Sequence, residues 1–160
     1  MRLILVCLSL LCITLGCVKS RLVVPVQKQD LGADWIPIQI KGAEQAWIIP
    51  NEGSSLLIDS TCKVVDQSTP LVALTAQLLI GMTEQALLEQ QFIPYQNREA
   101  LISTFDLKID GIPSKLHALV LKKDGCVFDI VLTCSPDNYT KRLADFERLQ
   151  SLFALEPSEP

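Results

Sequence analysis

A single histidine, His117, is all this chain holds for imidazole chemistry, and it lies between Leu116 and Ala118 in an apolar run. One histidine cannot build a His-rich metal site, and in that setting it reads as a hydrogen-bonded structural residue. Clustered positive charge is missing too. No basic run is longer than Lys122-Lys123 or Lys141-Arg142, and the formal net charge is −4. A phosphate backbone needs several grouped cations, so nucleic acid is excluded as a partner. Asp106, Asp110, Asp124 and Asp129 match no EF-hand spacing. Asp110 and Asp124 each precede a glycine and read as turn residues rather than as a calcium site or a hydrolytic pair. Internal repeats and low-complexity tracts are absent. With no catalytic motif and no metal or cofactor constellation, the expectation is a protein that is not an enzyme.

What is present begins at the N-terminus. Arg2 is followed by the apolar stretch Leu3 to Leu15, broken only by Ser9 and Thr14, and then by Gly16 and Cys17. At about 13 residues this stretch falls well short of the roughly 20 that cross a bilayer as a helix, and it has the layout of a secretory leader with a small residue before the cut. The segment Ile13-Thr14-Leu15-Gly16-Cys17 resembles the lipobox of bacterial lipoproteins, with Thr14 where that pattern most often has Leu. The resemblance implies a signal peptide over residues 1–16, cleavage before Cys17, and a lipid on the Cys17 sulfur; the other reading is an ordinary signal peptide. Two or three acyl chains on one residue make a durable anchor where one gives only marginal binding. Residues 17–31 then read as a lipidated tether, with Lys19 and Arg21 near the headgroups, and residues 32–156 as a single domain. Val18 follows the lipidated position, where enteric-type sorting uses Asp to retain a lipoprotein at the inner membrane. The expected location is therefore the outer membrane of a Gram-negative cell, facing the periplasm.

An exported protein meets an oxidising compartment, where thiols pair. Cys7 and Cys12 leave with the leader and Cys17 carries lipid, so Cys62, Cys126 and Cys134 remain. Cys126 and Cys134 sit at the two ends of one extended run, about 27 Å apart at about 3.4 Å per residue, while a disulfide needs Cα atoms within about 7 Å. Cys62 must choose between them. It follows a strand-like run, and Cys126 follows a turn, so both lie near strand ends; the expected bridge is Cys62 to Cys126 with Cys134 free.

The segment 99–136 carries the clearest structural signal. Asp110-Gly111 and Asp124-Gly125 permit the positive φ angles of tight hairpins, and they divide a three-strand meander: 100–109, 112–122 and 126–134. In the middle strand His117, Leu119 and Leu121 share one face and Leu116, Ala118 and Val120 the other, so both faces are apolar and the strand is central. Beyond Pro136 the period changes, and Tyr139, Leu143, Phe146, Leu149 and Phe153 form the stripe of an amphipathic helix, with Asp137 near its start. Upstream, the runs 35–40, 46–49 and 55–60 read as strands, the first at an edge because of Pro37. Pro70 opens an apolar helix over 71–82 with Ser68 or Thr69 to cap it. A short second helix is expected over 83–91, capped by Thr83, with Ala86, Leu87 and Phe92 turned inward. The fold class is α+β: a mainly antiparallel sheet covered by helices.

The stretch Cys126-Val127-Phe128-Asp129-Ile130-Val131-Leu132, running through Ser135-Pro136 into a helix that ends at Leu152-Phe153, and the lead-in Asn97-Arg98-Glu99-Ala100, together resemble the Mog1/PsbP-like fold. The resemblance implies an α/β/α sandwich and a binding or assembly module with no catalytic residues. Fold by itself does not assign function. Three roles follow. The first is a lipid-anchored interaction or assembly module with a protein partner in the cell envelope and the membrane bound through Cys17. The second is a binding protein for a small apolar ligand or lipid, which needs a pocket between sheet and helices. The third is an enzyme, which needs a cleft gathering His117, a cysteine and a carboxylate.

Overall fold

Hairpin turns at three points along the C-terminal half force consecutive strands back on one another, and a computed structural model, which describes residues 23–62 and 68–155, shows the result. The elements run α1 (Lys28–Leu31), β1 (Ile36–Ile38), β2 (Ala43–Ile49), β3 (Ser54–Thr61), α2 (Leu71–Gln77), β4 (Thr83–Tyr95), β5 (Arg98–Ile109), β6 (Ile112–Lys123), β7 (Cys126–Cys134) and α3 (Tyr139–Leu152). The seven strands form one sheet in the order β1-β2-β3-β7-β6-β5-β4, and every neighbouring pair is antiparallel. Asp110 and Asp124 take the left-handed conformation at the β5–β6 and β6–β7 turns, each ahead of a glycine that also has positive φ. Asp and Gly carry that geometry at low cost, which is why the two dipeptides marked the turns so well.

Both faces of the sheet are covered. On one, α3 lays Phe146, Leu149 and the following Phe153 over Leu56, Ile58, Leu119, Leu121, Phe128, Ile130 and Leu132, with Trp35 and Leu31 closing the side. On the other, Leu71 and Leu74 of α2 cover Leu101, Val120 and Val127, while Leu79 covers Phe105, Leu116, Ala118 and Val131. This is the α+β sandwich expected, with β6 central between β5 and β7. Its alternate residues divide between the two cores as the sequence pattern implies.

Several details differ from expectation. The segment from Thr83 is a strand, not a helix: β4 pairs with β5 from Thr83↔Lys108 to Tyr95↔Arg98. Its residues are strong helix formers, but the open side of β5 supplies a full ladder of partners, and tertiary pairing overrides local propensity. Register shifts at 83/86 and 87/89 also break the period-2 alternation that would have marked a strand. Leu87 and Phe92 are consequently exposed rather than inward. Helix α2 stops at Gln77, because the chain turns through 78–82 with Gly81 at positive φ, and Ile80 is left 80% exposed. Neither Ser68 nor Thr69 caps α2, whose N-cap is Pro70. The Thr69 carbonyl instead accepts a hydrogen bond from Lys122 Nζ at 2.9 Å. Asp137 lies in a 3-10 turn, Pro136–Asn138, ahead of α3, and makes no cap for that helix.

The folded body also begins earlier than the tether boundary at residue 31 suggests. Val23 forms an antiparallel bridge with Leu155 and is only 2% exposed, and Leu31 is buried as well. Apolar residues separated by polar ones in a short N-terminal segment look like a linker, yet Val23, Val26 and Leu31 join the core on the α3 side of the sheet. Cys17 lies outside the described residues.

Cys62 is bonded to Cys126, and Cys134 is free and buried. The register explains the pairing: Thr61 lies opposite Val127 across β3 and β7, so the next residue on one strand meets the preceding residue on the other. The bridge extends the ladder by one covalent rung. Its removal by a Cys62→Ala, Cys126→Ala double substitution is expected to cost about 3 kcal/mol, chiefly by freeing the unfolded chain; a urea midpoint equal to that of the parent protein would contradict this.

Candidate interaction surface

The two edges of the sheet are unlike. Strand β1 has three residues with Pro37 at its centre, a combination that blunts an edge by removing a backbone donor. Strand β4 has 13 residues, with a proline only near its end at Pro94, and among the described residues its side away from β5 faces no other strand. A long edge of this kind presents a row of backbone N–H and C=O groups to a further strand. Its side chains add apolar surface: Leu87 and Phe92 are 54% and 52% exposed, and Leu88 is similarly open. Leu87 lies opposite Phe105 and Phe92 opposite Leu101, so both stand on the α2 side of the sheet. Exposed Val72 on α2 and Ile80 after it lie on that side too. Phe92 also lines a surface groove with Pro70, Leu71, Arg98, Glu99 and Lys122. The strand itself carries Glu84 and Glu89 and no cation. Glu84 meets Lys108 of β5 at 2.7 Å.

The residues considered for chemistry are dispersed or engaged. The Thr104 hydroxyl lies 2.8 Å and the Tyr139 hydroxyl 3.1 Å from His117 Nδ1. The imidazole also meets the Phe146 ring edge-on, with centroids 4.6 Å apart. Burial holds its pKa down to about 4, so the ring is neutral and takes the part of a core polar residue. Cys126 is in the disulfide, and burial is the main cause pushing the Cys134 thiol up to about 11, opposite to what a nucleophilic thiolate needs. Asp106 is paired with Lys115 at 2.6 Å, and Asp110 and Asp124 occupy turns at opposite ends of the sheet. No group of three or more His, Cys, Asp or Glu side chains placed to hold a metal ion occurs among the described residues.

Two clusters have no signature in the sequence pattern. Arg142, next to Lys141 in what reads as a solvated basic pair, is buried beneath α3. Its guanidinium bonds Glu52 through Nε at 2.8 Å and Nη2 at 2.7 Å, bonds Asp145 through Nη1 at 2.7 Å, and lies 5.6 Å from the Trp35 ring. Trp35 Nε1 donates to the same Asp145 carboxylate at 3.1 Å. The set ties α3 to the turn after β2 and to the chain ahead of β1. The other cluster is Asp129, directly opposite Asp59 across β7 and β3. Asp129 Oδ1 is buried and has no hydrogen-bond partner among the described residues. Burial first, and the facing Asp59 second, push its pKa up to about 7. Signals for either would have required knowing the strand register.

No family model matches the chain, and no curated protein matches it in sequence. Solved structures do share its fold. A cyanobacterial PsbP, CyanoP from Synechocystis, matches with a TM-score of 0.57 at 13% identity, over 88% of this chain and 96% of that one. LpqN of Mycobacterium tuberculosis, described as involved in cell envelope biogenesis, matches with a TM-score of 0.56 at 13% identity, over 84% and 83%. PA94 of Pseudomonas aeruginosa, a protein of unknown function, matches with a TM-score of 0.56 at 14% identity, over 78% and 83%. The chain therefore has a PsbP-like fold; identities this low establish the fold alone.

Proposed function

We propose that this protein is a lipid-anchored, non-catalytic envelope module that binds a protein partner through the open edge of β4. The observation that carries the reading is the contrast between the three-residue β1 edge and the 13 residues of β4. The exposed Leu87, Leu88 and Phe92 of β4 border an outer side that pairs with no strand among the described residues and is interrupted by Pro94 and the register shifts at 83/86 and 87/89. Edges of this length are protected in most proteins that work alone. The partner segment is an extended strand that places apolar side chains beside Leu87 and Phe92 and a Lys or Arg near Glu89. The anchor is Cys17, and with Val18 after it the site of action is the periplasmic face of the outer membrane. A role in the envelope accords with LpqN, which shares the fold. No helix among the described residues is long and apolar enough to cross a membrane.

The alternative of a small apolar ligand has less support. The space between the sheet and α3 is filled by Phe146, Leu149, Phe153, Trp35 and Phe128, each at most 2% exposed. A photoreactive residue at Gln91 tests the edge in living cells. A protein adduct is expected with the otherwise unchanged chain, and its loss in the Leu87→Lys, Phe92→Lys variant, whose urea midpoint should match the parent's because both side chains are half exposed. Adducts from Gln91 that persist undiminished in that variant would move the interaction elsewhere.

A further inference from the structure

We infer that one particular end of the sheet, the end carrying the Cys62–Cys126 disulfide and the turns at 39–42, 96–97 and 124–125, rests against the bilayer. The inference rests on the reading of Cys17 as a lipid anchor and follows from how early the fold takes hold of the chain. Val23 bridges Leu155, and Val24 N–H donates to the Ala154 carbonyl at 2.9 Å. The Gln45 side chain then clamps the next residues, accepting from Val26 N–H at 2.8 Å and donating to the Val24 carbonyl at 3.2 Å. Gln96 in the β4–β5 turn donates to the Phe153 carbonyl at 3.1 Å, which places this junction beside the turns named above.

From Cys17 to Val23 the backbone spans at most about 20 Å at about 3.4 Å per residue. A tether reaching to residue 31 would have left the domain free to turn in any direction; one ending at Val23 does not. Strands β5 and β6 are 12 residues each, so the opposite turn at Asp110-Gly111 stands about 40 Å away along the strands. The near end also has suitable side chains. Val24 and Ile40 are 40% and 47% exposed, and Lys41 is exposed beside Ile40. Glu44, Glu99 and Asp124 lie at the same end, so contact relies on apolar side chains held close by the anchor rather than on net positive charge. An acyl anchor already holds the domain at the surface, so each partly inserted side chain adds to binding without a further loss of translational freedom.

Labelling separates near from far. Full-length lipidated protein bearing a fluorophore at Ile40→Cys, at Lys41→Cys, or at the far-end Ile112→Cys, where the native side chain is 66% exposed, is reconstituted into phosphatidylethanolamine–phosphatidylglycerol vesicles containing brominated lipid. Quenching several-fold stronger at positions 40 and 41 than at 112 is expected. Equal quenching, or stronger quenching at 112, in protein that still floats with the vesicles overturns the orientation and leaves the anchor standing. Parent protein that takes up no labelled fatty acid, like its Cys17→Ser variant, and fails to float removes the anchor, and the orientation with it.

Discussion

Replacing Asp129 by Asn is expected to stabilise the protein by roughly 3 to 4 kcal/mol at pH 8 and by almost nothing at pH 4. Asp129 sits on the α2 side of β7, between Val127 and Val131, with Val120 opposite it on β6 and Asp59 opposite it on β3. Burial and the Asp59 charge raise its pKa to about 7. Asp59 is itself raised, first by burial and then by Glu44, against a lowering hydrogen bond from the Ser60 N–H. A carboxyl whose folded-state pKa lies above its unfolded value carries no penalty below the unfolded value of about 4, where both states hold the proton. The penalty grows as pH rises and is complete above the folded value near 7. The parent protein should therefore lose stability through this group between those limits, and the neutral amide should not. Urea midpoints of parent and variant across pH 4 to 8 measure the difference. A gap of constant size over that range, or a variant weaker at pH 8, would contradict the assignment.

Truncating Phe146 to Ala is expected to cost about 4 kcal/mol, within the range for emptying a buried aromatic site. The ring is fully buried, meets His117 edge-on, and lies between α3 and the sheet. Against a typical total of about 5 to 15 kcal/mol this is a large fraction of the stability. A second readout distinguishes packing from general damage. His117 is held near pKa 4 by burial alone, so the cavity left by the ring should admit water and let the imidazole titrate closer to its ordinary value, as NMR would follow. An unchanged midpoint would mean that the α3 stripe faces a partner instead of the sheet.

The stripe of α3 was legible because Tyr139, Leu143, Phe146, Leu149 and Phe153 repeat with the helical period, and period is a local property. The meander was legible for a similar reason: Asp110-Gly111 and Asp124-Gly125 require backbone angles that few other dipeptides adopt. Strand β4 was not legible. Glu84, Gln85, Ala86, Leu87 and Leu88 prefer a helix in isolation, and only the ladder offered by β5, with its register shifts, turns them into a strand. That error also hid the candidate surface, since a helix would have buried Leu87 and Phe92.

Residue types and local spacing by themselves determined the β5–β6 and β6–β7 hairpins, the amphipathic α3 and the exclusion of a Cys126–Cys134 bridge, because each depends on neighbours in sequence or on distances along a single strand. Tertiary structure alone decided which edge stays open, which charges become buried, which cysteine meets Cys62, and how early the N-terminal segment joins the core. Those outcomes depend on pairs far apart in the chain: β4 with β5, Arg142 with Glu52, Asp59 with Asp129, Val23 with Leu155. No local pattern encodes such a pair, because register and packing are settled by the sum of many contacts at once.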